Sequence, residues 1–411
     1  MNKLTKLWSK SKRVTSDFIL RISSSVLTTF ANQIVLLPLL AAVFDAETYG
    51  FLLTLISIKN IIAGTLGNSL YSTRLIVNSK YEEENKTGDF NRLIAIATVL
   101  GVVVMAVVMV FMDGVTWLTG ILLIPVVALY TLNSYLGVWY PVTLQFRKSL
   151  VHSIVVSIGT IIGAVIVYLT KVWTLAYLAS ALAGFLFVTR KTGILKEGFG
   201  KTNLMRLTVS KWGILMITTL LVNVVTYLDR LVLYPLLGPE AVSTFSTATY
   251  FGKALSVLAM PIAGVMLSYY AQRNFAMTRK RYWVINGACG AMLGLFAVFS
   301  LLMGKWVTGL LFPTLIDEAG PYIFIGNLSA ALAALVQIVQ TAAMKYAKTG
   351  WQLVVQIAYL VVYFALGMIL IGSFGLMGFC VASLCANAVR LIMQIMIGHF
   401  ALGGNHEFTE A

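Results

Sequence analysis

The apolar positions of the chain form long continuous runs instead of short alternating patterns. Runs of about 20 apolar residues, each long enough to cross the hydrocarbon core of a bilayer as a helix, recur along the whole length between short polar segments. The strands of a transmembrane barrel would instead alternate over about ten residues. The pattern predicts twelve helices, with approximate ranges 17–43, 50–76, 93–112, 116–139, 149–169, 173–189, 212–236, 241–269, 283–303, 320–343, 351–371 and 375–398.

The composition supports a polytopic membrane protein of the all-α class. The chain is 59% hydrophobic and 11% charged, whereas a soluble domain has about 25% charged residues. The first apolar run is too long for a signal-peptide core, so we expect a retained helix, with the basic segment "MNKLTKLWSKSKR" on the membrane surface. All three cysteines lie in apolar runs, which indicates core packing and no disulfide or metal site.

The positive charges are distributed asymmetrically between the loops. Lys and Arg concentrate in the N-terminus and in every second loop, whereas the intervening loops contain only Lys171 and Lys305. This is the positive-inside pattern, and it predicts a multi-pass protein of a cytoplasmic membrane with both termini in the cytoplasm. The net charge of +15 is thereby explained by topology, and no nucleic acid is expected as a partner.

The two halves of the chain show an internal repeat. The segments "DAETYGFLLTLISIK" (45–59) and "GPEAVSTFSTATYFGK" (238–253) each begin with an acidic turn, followed by a helix that carries a lysine 12 or 13 residues after the Glu. We therefore predict two pseudo-symmetric lobes of six helices each, 1–205 and 206–411. A repeat of this kind is typical of transporters.

Inside the predicted helices there are six basic residues and one acidic residue, Asp229. The basic residues are Arg21, Lys59, Arg74, Arg230, Lys253 and Arg390. Several continue polar stripes that lie on one face of a helix at 3.6 residues per turn. We predict that these stripes line a water-filled cavity between the lobes. The cationic candidates for substrate binding are Arg21, Lys59, Arg74, Arg230 and Lys253, and the polar or coupling candidates are Asn32, Asn60, Asn223, Asp229 and Tyr250.

Some of these residues have a second interpretation. Arg21 and Arg390 are expected near cytoplasmic ends, where long basic side chains reach the headgroups, and for Arg74 this interpretation and a cavity role both stay open. Asp229 and Arg230 point about 100° apart on a helix, so separate partners are expected. A pair of Asp229 with Lys253 would be either a structural ion pair or part of an anion site.

No catalytic constellation is present in the sequence. The three histidines show no metal-ligand spacing, the chain has no Walker-type phosphate loop, and the short loops leave no room for a catalytic domain. We therefore predict that the protein is not an enzyme and has no cofactor, with coupling to a proton or a sodium ion left open.

The segments "LLAAVFDAETYGFLLTL" and "YLDRLVLYPLLGPEAVSTFSTATYFGKALSVLAMPIAGVML" resemble the multidrug/oligosaccharidyl-lipid/polysaccharide (MOP) exporter superfamily, and within it the Wzx-type flippases. The second copy departs from the family pattern at Ser243 and Phe245, where Gly and Tyr are usual. The resemblance implies a MATE-like, V-shaped pair of bundles that works by alternating access. The cationic cavity of Wzx-type proteins matches Lys59, Arg74, Arg230 and Lys253 by position and charge.

The resemblance also implies a substrate, a location and partners. The substrate would be an undecaprenyl-pyrophosphate-linked oligosaccharide, moved from the inner to the outer leaflet of the bacterial cytoplasmic membrane for O-antigen (lipopolysaccharide) or capsule synthesis. A polysaccharide polymerase and a chain-length regulator would be partners of a monomer. The alternatives are a MATE-like cation-coupled drug antiporter, a lipid II flippase, and a channel or structural subunit. An antiporter favours acidic cavities, and a lipid II flippase resembles longer chains.

Overall fold

The computed structural model describes residues 19–84, 86, 88–270, 277–348 and 350–402. Within these ranges all regular secondary structure is helical and no strand is present, so the predicted all-α class is confirmed. The basic N-terminal segment and the C-terminal tail lie outside the described residues. The predicted location of the segment on the membrane surface, and of both termini in the cytoplasm, therefore stays a prediction.

Within the described residues, twelve longer helical segments follow one another in the order that the apolar runs predict. Gly375, with φ 54°, interrupts the last long helical stretch and separates α11 from α12. Nine helical stretches of the described chain are long and apolar enough to cross a membrane. The segments are α1 (Ile19–Val43), α2 (Ala46–Glu83), α3 (Asp89–Phe111), α4 (Trp117–Leu136), α5 (Phe146–Thr170), α6 (Thr174–Lys191), α7 (Met205–Thr226, then Leu228–Leu237), α8 (Pro239–Ala248, then Tyr250–Tyr270), α9 (Arg279–Leu311), α10 (Ile316–Tyr346), and α11 and α12 within Gly350–Ala401.

Four local irregularities were not predicted, one of which is the interruption of α8 at Thr249. Short π-helical turns occupy Ala31–Leu36 in α1 and Gly64–Asn68 in α2, and such turns are frequent at functional sites. The helix α7 is interrupted at Tyr227. Asp229 consequently lies in the first turn of Leu228–Leu237, where the helix dipole favours a carboxylate.

The described residues form two compact units. Unit 1 comprises the described residues of Met1–Phe44 and Leu52–Val232. Unit 2 comprises Asp45–Phe51 and the described residues of Leu233–Ala411. Most of α7 thus belongs to unit 1, because its polar side chains hydrogen-bond to α2, as described below. The boundary at residue 205 between two repeated lobes stays a prediction about internal symmetry.

Small residues allow the helices of unit 1 to approach closely. A side chain at Gly163 of α5 would lie 2.6 Å from the Cα of Ala176 in α6, and one at Gly159 would lie 2.8 Å from the Cβ of Ala183. Thr160 also donates a hydrogen bond of 3.0 Å to Ser180 across the same pair of helices. Small residues and polar contacts of this kind hold membrane helices together where burial of apolar surface cannot.

Helix α10 is the central helix of unit 2 and, among the side chains that the structure describes, the one with the most buried residues there. Its Asn327 side chain accepts a 2.7 Å hydrogen bond from the backbone N–H of Gly252 in α8 and donates one of 3.2 Å to Ser300 in α9. Ser329 lies 2.8 Å from Ser383 of α12 through the two hydroxyl oxygens. The unit is therefore built around buried polar contacts of α10.

Asp45 caps the N-terminus of α2, because its carboxylate accepts a 3.3 Å hydrogen bond from the backbone N–H of Thr48. Hydrogen bonding from Thr48 holds the pKa of the Asp45 carboxyl below its usual value. We expect Asp45→Ala to lower the free energy of unfolding by about 1 kcal/mol at neutral pH. Because the folded pKa is the lower one, this contribution should disappear as the pH falls below about 4, which melting curves of both proteins at pH 7 and pH 3 would show.

Candidate functional site

Polar side chains join α2 and the end of α7 in an antiparallel contact, called here the α2–α7 polar seam. The Arg230 guanidinium donates from Nη1 to the hydroxyl of Ser57 at 2.7 Å and to the carbonyl of Leu53 at 3.2 Å. One turn further along α2, Asn60 donates a 3.0 Å hydrogen bond to the hydroxyl of Tyr227. Both acceptors of Arg230 are uncharged, so these contacts leave its positive charge in place.

The seam continues along α7 toward its first residue. Asn223 donates a 3.3 Å hydrogen bond to the hydroxyl of Thr65, within the π-helical turn of α2. A side chain at Gly64 would lie 2.6 Å from the amide nitrogen of Asn223, so glycine permits this close approach. Trp212 donates from its indole to Ser69 at 2.8 Å. The predicted stripe residues Asn60, Asn223 and Arg230 are therefore brought together on the seam.

Lys59 is almost completely buried in unit 1, with 1% of its surface exposed. Its ammonium lies 3.4 Å from the ring centroid of Tyr130 in α4 and 4.2 Å from that of Tyr177 in α6. Two aromatic faces at these distances attract a cation. The two rings were not predicted, because nothing in the sequence pairs α2 with α4 and α6 at this depth. A role of Lys59 in substrate binding stays a prediction.

Arg74 is also buried, and a carboxylate neutralises it. Glu197, in a short 3₁₀ turn after α6, accepts two hydrogen bonds from the guanidinium, one of them 2.9 Å long. The hydroxyl of Tyr135 accepts a third bond of 2.6 Å, and the ring of Phe90 lies 4.9 Å from Cζ. Neither a headgroup contact nor an open cavity is needed to explain this arginine. Glu197 escaped the sequence analysis because it lies in a strongly basic loop.

Further hydrogen bonds fasten the loop between α6 and α7 to unit 1. Buried Asp89 accepts bonds from the hydroxyl of Tyr81 at 2.7 Å and from the backbone N–H of Thr202 at 2.8 Å. Asn203, next to Thr202, and Lys86 both donate to the carboxylate of Glu84. These hydrogen bonds lower the pKa of the Glu84 carboxyl, and the one from Lys86 has the larger effect. The loop is therefore a folded part of unit 1.

The remaining candidates of unit 1 are Arg21, Asn32 and Asp229. Arg21 is exposed near the first described residue of α1 and interacts electrostatically with Tyr71 of α2. Asn32 is half-buried within the π-helical turn of α1, where its carbonyl accepts the backbone N–H of Leu37. Asp229 is buried, with 8% of its surface exposed. Their roles in binding or coupling stay predictions.

Two predicted site residues lie in unit 2. The half-buried Lys253 places its ammonium 5.5 Å from the ring centroid of Phe245. Tyr250, one turn earlier in α8, is buried and packs edge-on against Phe312 at 4.7 Å between ring centroids. The pairing of Lys253 with Asp229 stays a prediction.

Comparisons with known proteins bear on the fold. No protein-family model matches the sequence, and a sequence search of curated proteins finds no match. An inward-facing multidrug resistance MATE family transporter of the MOP superfamily is 15% identical, with a TM-score of 0.66 over 94% of this chain and 98% of that one. The lipid II flippase MurJ in its inward closed conformation is 14% identical, with a TM-score of 0.64 over 94% of this chain and 86% of that one.

A third structure extends the comparison to the whole chain. The Vibrio cholerae MATE transporter VcmN in its bent form is 14% identical, with a TM-score of 0.60 over 99% of this chain and 100% of that one. Sequence identities this low carry no information on substrate, but the coverage includes nearly every helix. The chain therefore has the all-helical membrane fold that the MATE transporters share with MurJ.

Proposed function

We propose that this protein is a flippase for an undecaprenyl-pyrophosphate-linked oligosaccharide, which it moves from the inner to the outer leaflet of the bacterial cytoplasmic membrane by alternating access. The product would serve O-antigen or capsule synthesis. The observation that carries the proposal is Arg230, a half-buried guanidinium at the interruption of α7 whose two hydrogen-bond acceptors, Ser57 and the carbonyl of Leu53, are uncharged.

The chemistry of a pyrophosphate suits this arrangement. A pyrophosphate that leaves water needs fixed positive charge and hydrogen-bond donors, and a guanidinium provides both in a planar fork. Hydrogen bonds with a charged acceptor are stronger than those with a neutral one, so phosphate oxygens would compete successfully with Ser57 for Arg230. In the absence of substrate, the seam then satisfies the arginine and orients it.

The other expected properties belong to the same proposal. Lys253 would supply a second cation from α8, and Asp229 would set the charge balance beside Arg230 or carry a coupling proton or sodium ion. The lipid tail would remain in the bilayer, and polymerase and chain-length regulator would receive the product outside. Cytoplasmic termini and a monomeric state complete the expected picture.

The test is translocation of an undecaprenyl-pyrophosphate oligosaccharide in vesicles that contain the purified protein. We expect Arg230→Ala and Lys253→Ala each to slow translocation at least about tenfold, because a hydrogen bond to a charged group contributes about 1.5–3 kcal/mol. Lys196→Ala removes an exposed cation of the loop after α6 and should leave the rate unchanged. Unchanged rates in both cavity variants would contradict the assignment of these residues.

A cation-coupled drug antiporter is the second candidate, because solved MATE transporters share the fold of this chain. The same vesicles distinguish the two functions. Uptake of a cationic dye driven by a proton or sodium gradient, with no translocation of the lipid-linked oligosaccharide by the wild type, would favour the antiporter. Translocation without dye transport would favour the flippase.

A further inference from the structure

A second arginine, Arg390 of α12 in unit 2, lies well inside its helix. It is 11 residues from Ala401, the last residue of the helix, which corresponds to about 17 Å along the axis. Tyr359 of α11, whose ring centroid lies 5.0 Å from its Cζ, is nine residues from the start of the helical stretch at Gly350, or about 14 Å. For helices that end at the membrane surfaces, these distances correspond to a position near the middle of a hydrocarbon core of about 30 Å.

The guanidinium of Arg390 is half-buried and lacks a counter-ion in the described part of the chain. Within that part, its Nε has no hydrogen-bond partner and no carboxylate forms an ion pair with it. The face of the Tyr359 ring is the contact that remains. An arginine at this depth is costly without a partner, so a ligand that supplies negative charge would stabilise it.

Two amide oxygens beside Arg390 also lack partners. Helices α11 and α12 run antiparallel here, because Gln352 and Gln394 exchange hydrogen bonds of 2.9 and 3.3 Å while Tyr359 stacks on Arg390. Gln356 shares the face of α11 that carries these two contacts, and its Oε1 is buried without a partner among the described residues.

Asn387, one turn before Arg390 on α12, is fixed by Ser329 of α10. Its amide nitrogen donates a 3.1 Å hydrogen bond to that hydroxyl. Its Oδ1 is buried and, within the residues that the structure describes, has no partner. The amide is thus held with one acceptor unused, one helical turn from an arginine with an unused donor.

We propose that Arg390, Gln356 and Asn387 form a binding site for an anionic saccharide, meaning a sugar that carries a phosphate or pyrophosphate. The guanidinium of Arg390 would donate to phosphate oxygens, and the ring of Tyr359 would keep the guanidinium oriented. The amide oxygens of Gln356 and Asn387 would accept hydrogen bonds from sugar hydroxyls. A metal cation does not fit, because the arginine would repel it. An anion without hydroxyls would leave both amide oxygens unpaired at the usual cost.

This inference rests on the proposed function for the source of the ligand, while the site itself is independent of Arg230. The headgroup of a lipid-linked oligosaccharide contains both parts of the ligand, and so does a free sugar phosphate. Binding at Arg390 would then hold the saccharide on unit 2. This site would also contribute to the choice of glycan, because the amide oxygens contact hydroxyl groups.

The test uses a local fluorescent reporter on the full chain. Cys385 of α12 is exposed, whereas Cys289 and Cys380 are buried, so an environment-sensitive dye can be placed at Cys385, about 7.5 Å along the axis from Arg390. The labelled protein in detergent is titrated with undecaprenyl diphosphate, with glucose 1-phosphate and with glucose. Arg390→Met removes the charge, Arg390→Lys keeps it without the planar fork, and Arg190→Met is the matched control at an exposed arginine of α6.

We expect saturable binding of at least one phosphate-bearing probe, with an affinity that falls at least about tenfold in Arg390→Met and less in Arg390→Lys. Arg190→Met should bind like the wild type, and glucose should bind weakly or not at all. Binding of undecaprenyl diphosphate alone would identify the lipid headgroup as the source, and binding of glucose 1-phosphate alone would identify the sugar phosphate.

The inference is overturned if neither probe binds, if Arg390→Met binds like the wild type, or if glucose binds as well as its phosphate. A failure of binding at Arg390 can be distinguished from a failure of the proposed translocation. Loss of translocation in Arg230→Ala together with unchanged binding at Arg390 would support both, whereas binding without any translocation by the wild type would contradict the flippase alone. A melting temperature of Arg390→Lys equal to that of the wild type shows that the fold is intact.

Discussion

Glu197→Gln is expected to lower the free energy of unfolding of unit 1 by about 3–5 kcal/mol, because it leaves the charge of Arg74 buried without a counter-ion. Arg74 is 6% exposed, and Glu197 accepts two of its hydrogen bonds. In Gln one of the two acceptor oxygens becomes a donor NH₂, so the side chain can accept only one of these two bonds, and it carries no charge. A lower melting temperature of the purified protein, with faster proteolysis of the loop between α6 and α7, would be the measured result.

Two controls make this prediction specific. Glu84→Gln breaks the exposed ion pair with Lys86 and should leave the melting temperature nearly unchanged, because solvent screens an exposed pair. The double variant Arg74→Met with Glu197→Gln removes the buried charge as well and should recover most of the loss. Equal melting temperatures for Glu197→Gln and the wild type would mean that the ion pair contributes nothing and that solvent reaches Arg74.

Gly50→Ala is expected to destabilise unit 2 by at least about 3 kcal/mol, because the added Cβ has no space. The glycine packs in the second turn of α2 against the start of α8, where a Cβ would overlap the carbonyl oxygen of Pro239 and lie 3.1 Å from its Cα. Backbone atoms cannot rotate away as a side chain can. The two helix starts that the predicted repeat relates, after Asp45 and after Gly238, are thus in direct backbone contact at this point.

The measurement is a comparison of melting temperatures with Gly213→Ala as the matched control. Gly213 also lies within a helix, α7, but a Cβ there would meet nothing within 4 Å. Alanine favours the helix by up to about 1 kcal/mol over glycine, so the control should be neutral or slightly stabilised. A Gly50→Ala protein as stable as this control would show that the contact with Pro239 is loose in solution.

The fold could be predicted from the sequence largely because a bilayer imposes a single length scale. Each span must be a helix of about 20 apolar residues, and the described helices follow the predicted order with shifts at their ends. The interruption at Tyr227 was missed, since residues 223–237 carry no Gly, and their proline, Pro235, comes after the break. The π-helical turns were missed for a similar reason, because they change the backbone hydrogen bonds without a distinct residue pattern.

The candidate site could be predicted only as a set of polar faces. The spacing of Asn223 and Arg230 placed them on one side of α7, and the structure joins that side to α2 through Ser57 and Thr65. Spacing along one helix does not identify the facing helix. Glu197 was missed for the same reason. Its neighbours in the sequence are basic, and nothing near it indicates that its partner is Arg74, more than a hundred residues away.

The sequence by itself determined that this protein is a helical membrane protein with more basic than acidic residues inside its predicted helices, since those properties depend on composition and local periodicity. The tertiary structure decided what each cation touches: two tyrosine rings for Lys59, a carboxylate for Arg74, uncharged acceptors for Arg230, and a ring with unused amide oxygens for Arg390. The reason is physical. A charge within a membrane protein is stabilised by groups from other helices, and those groups are adjacent in space only after the helices have packed.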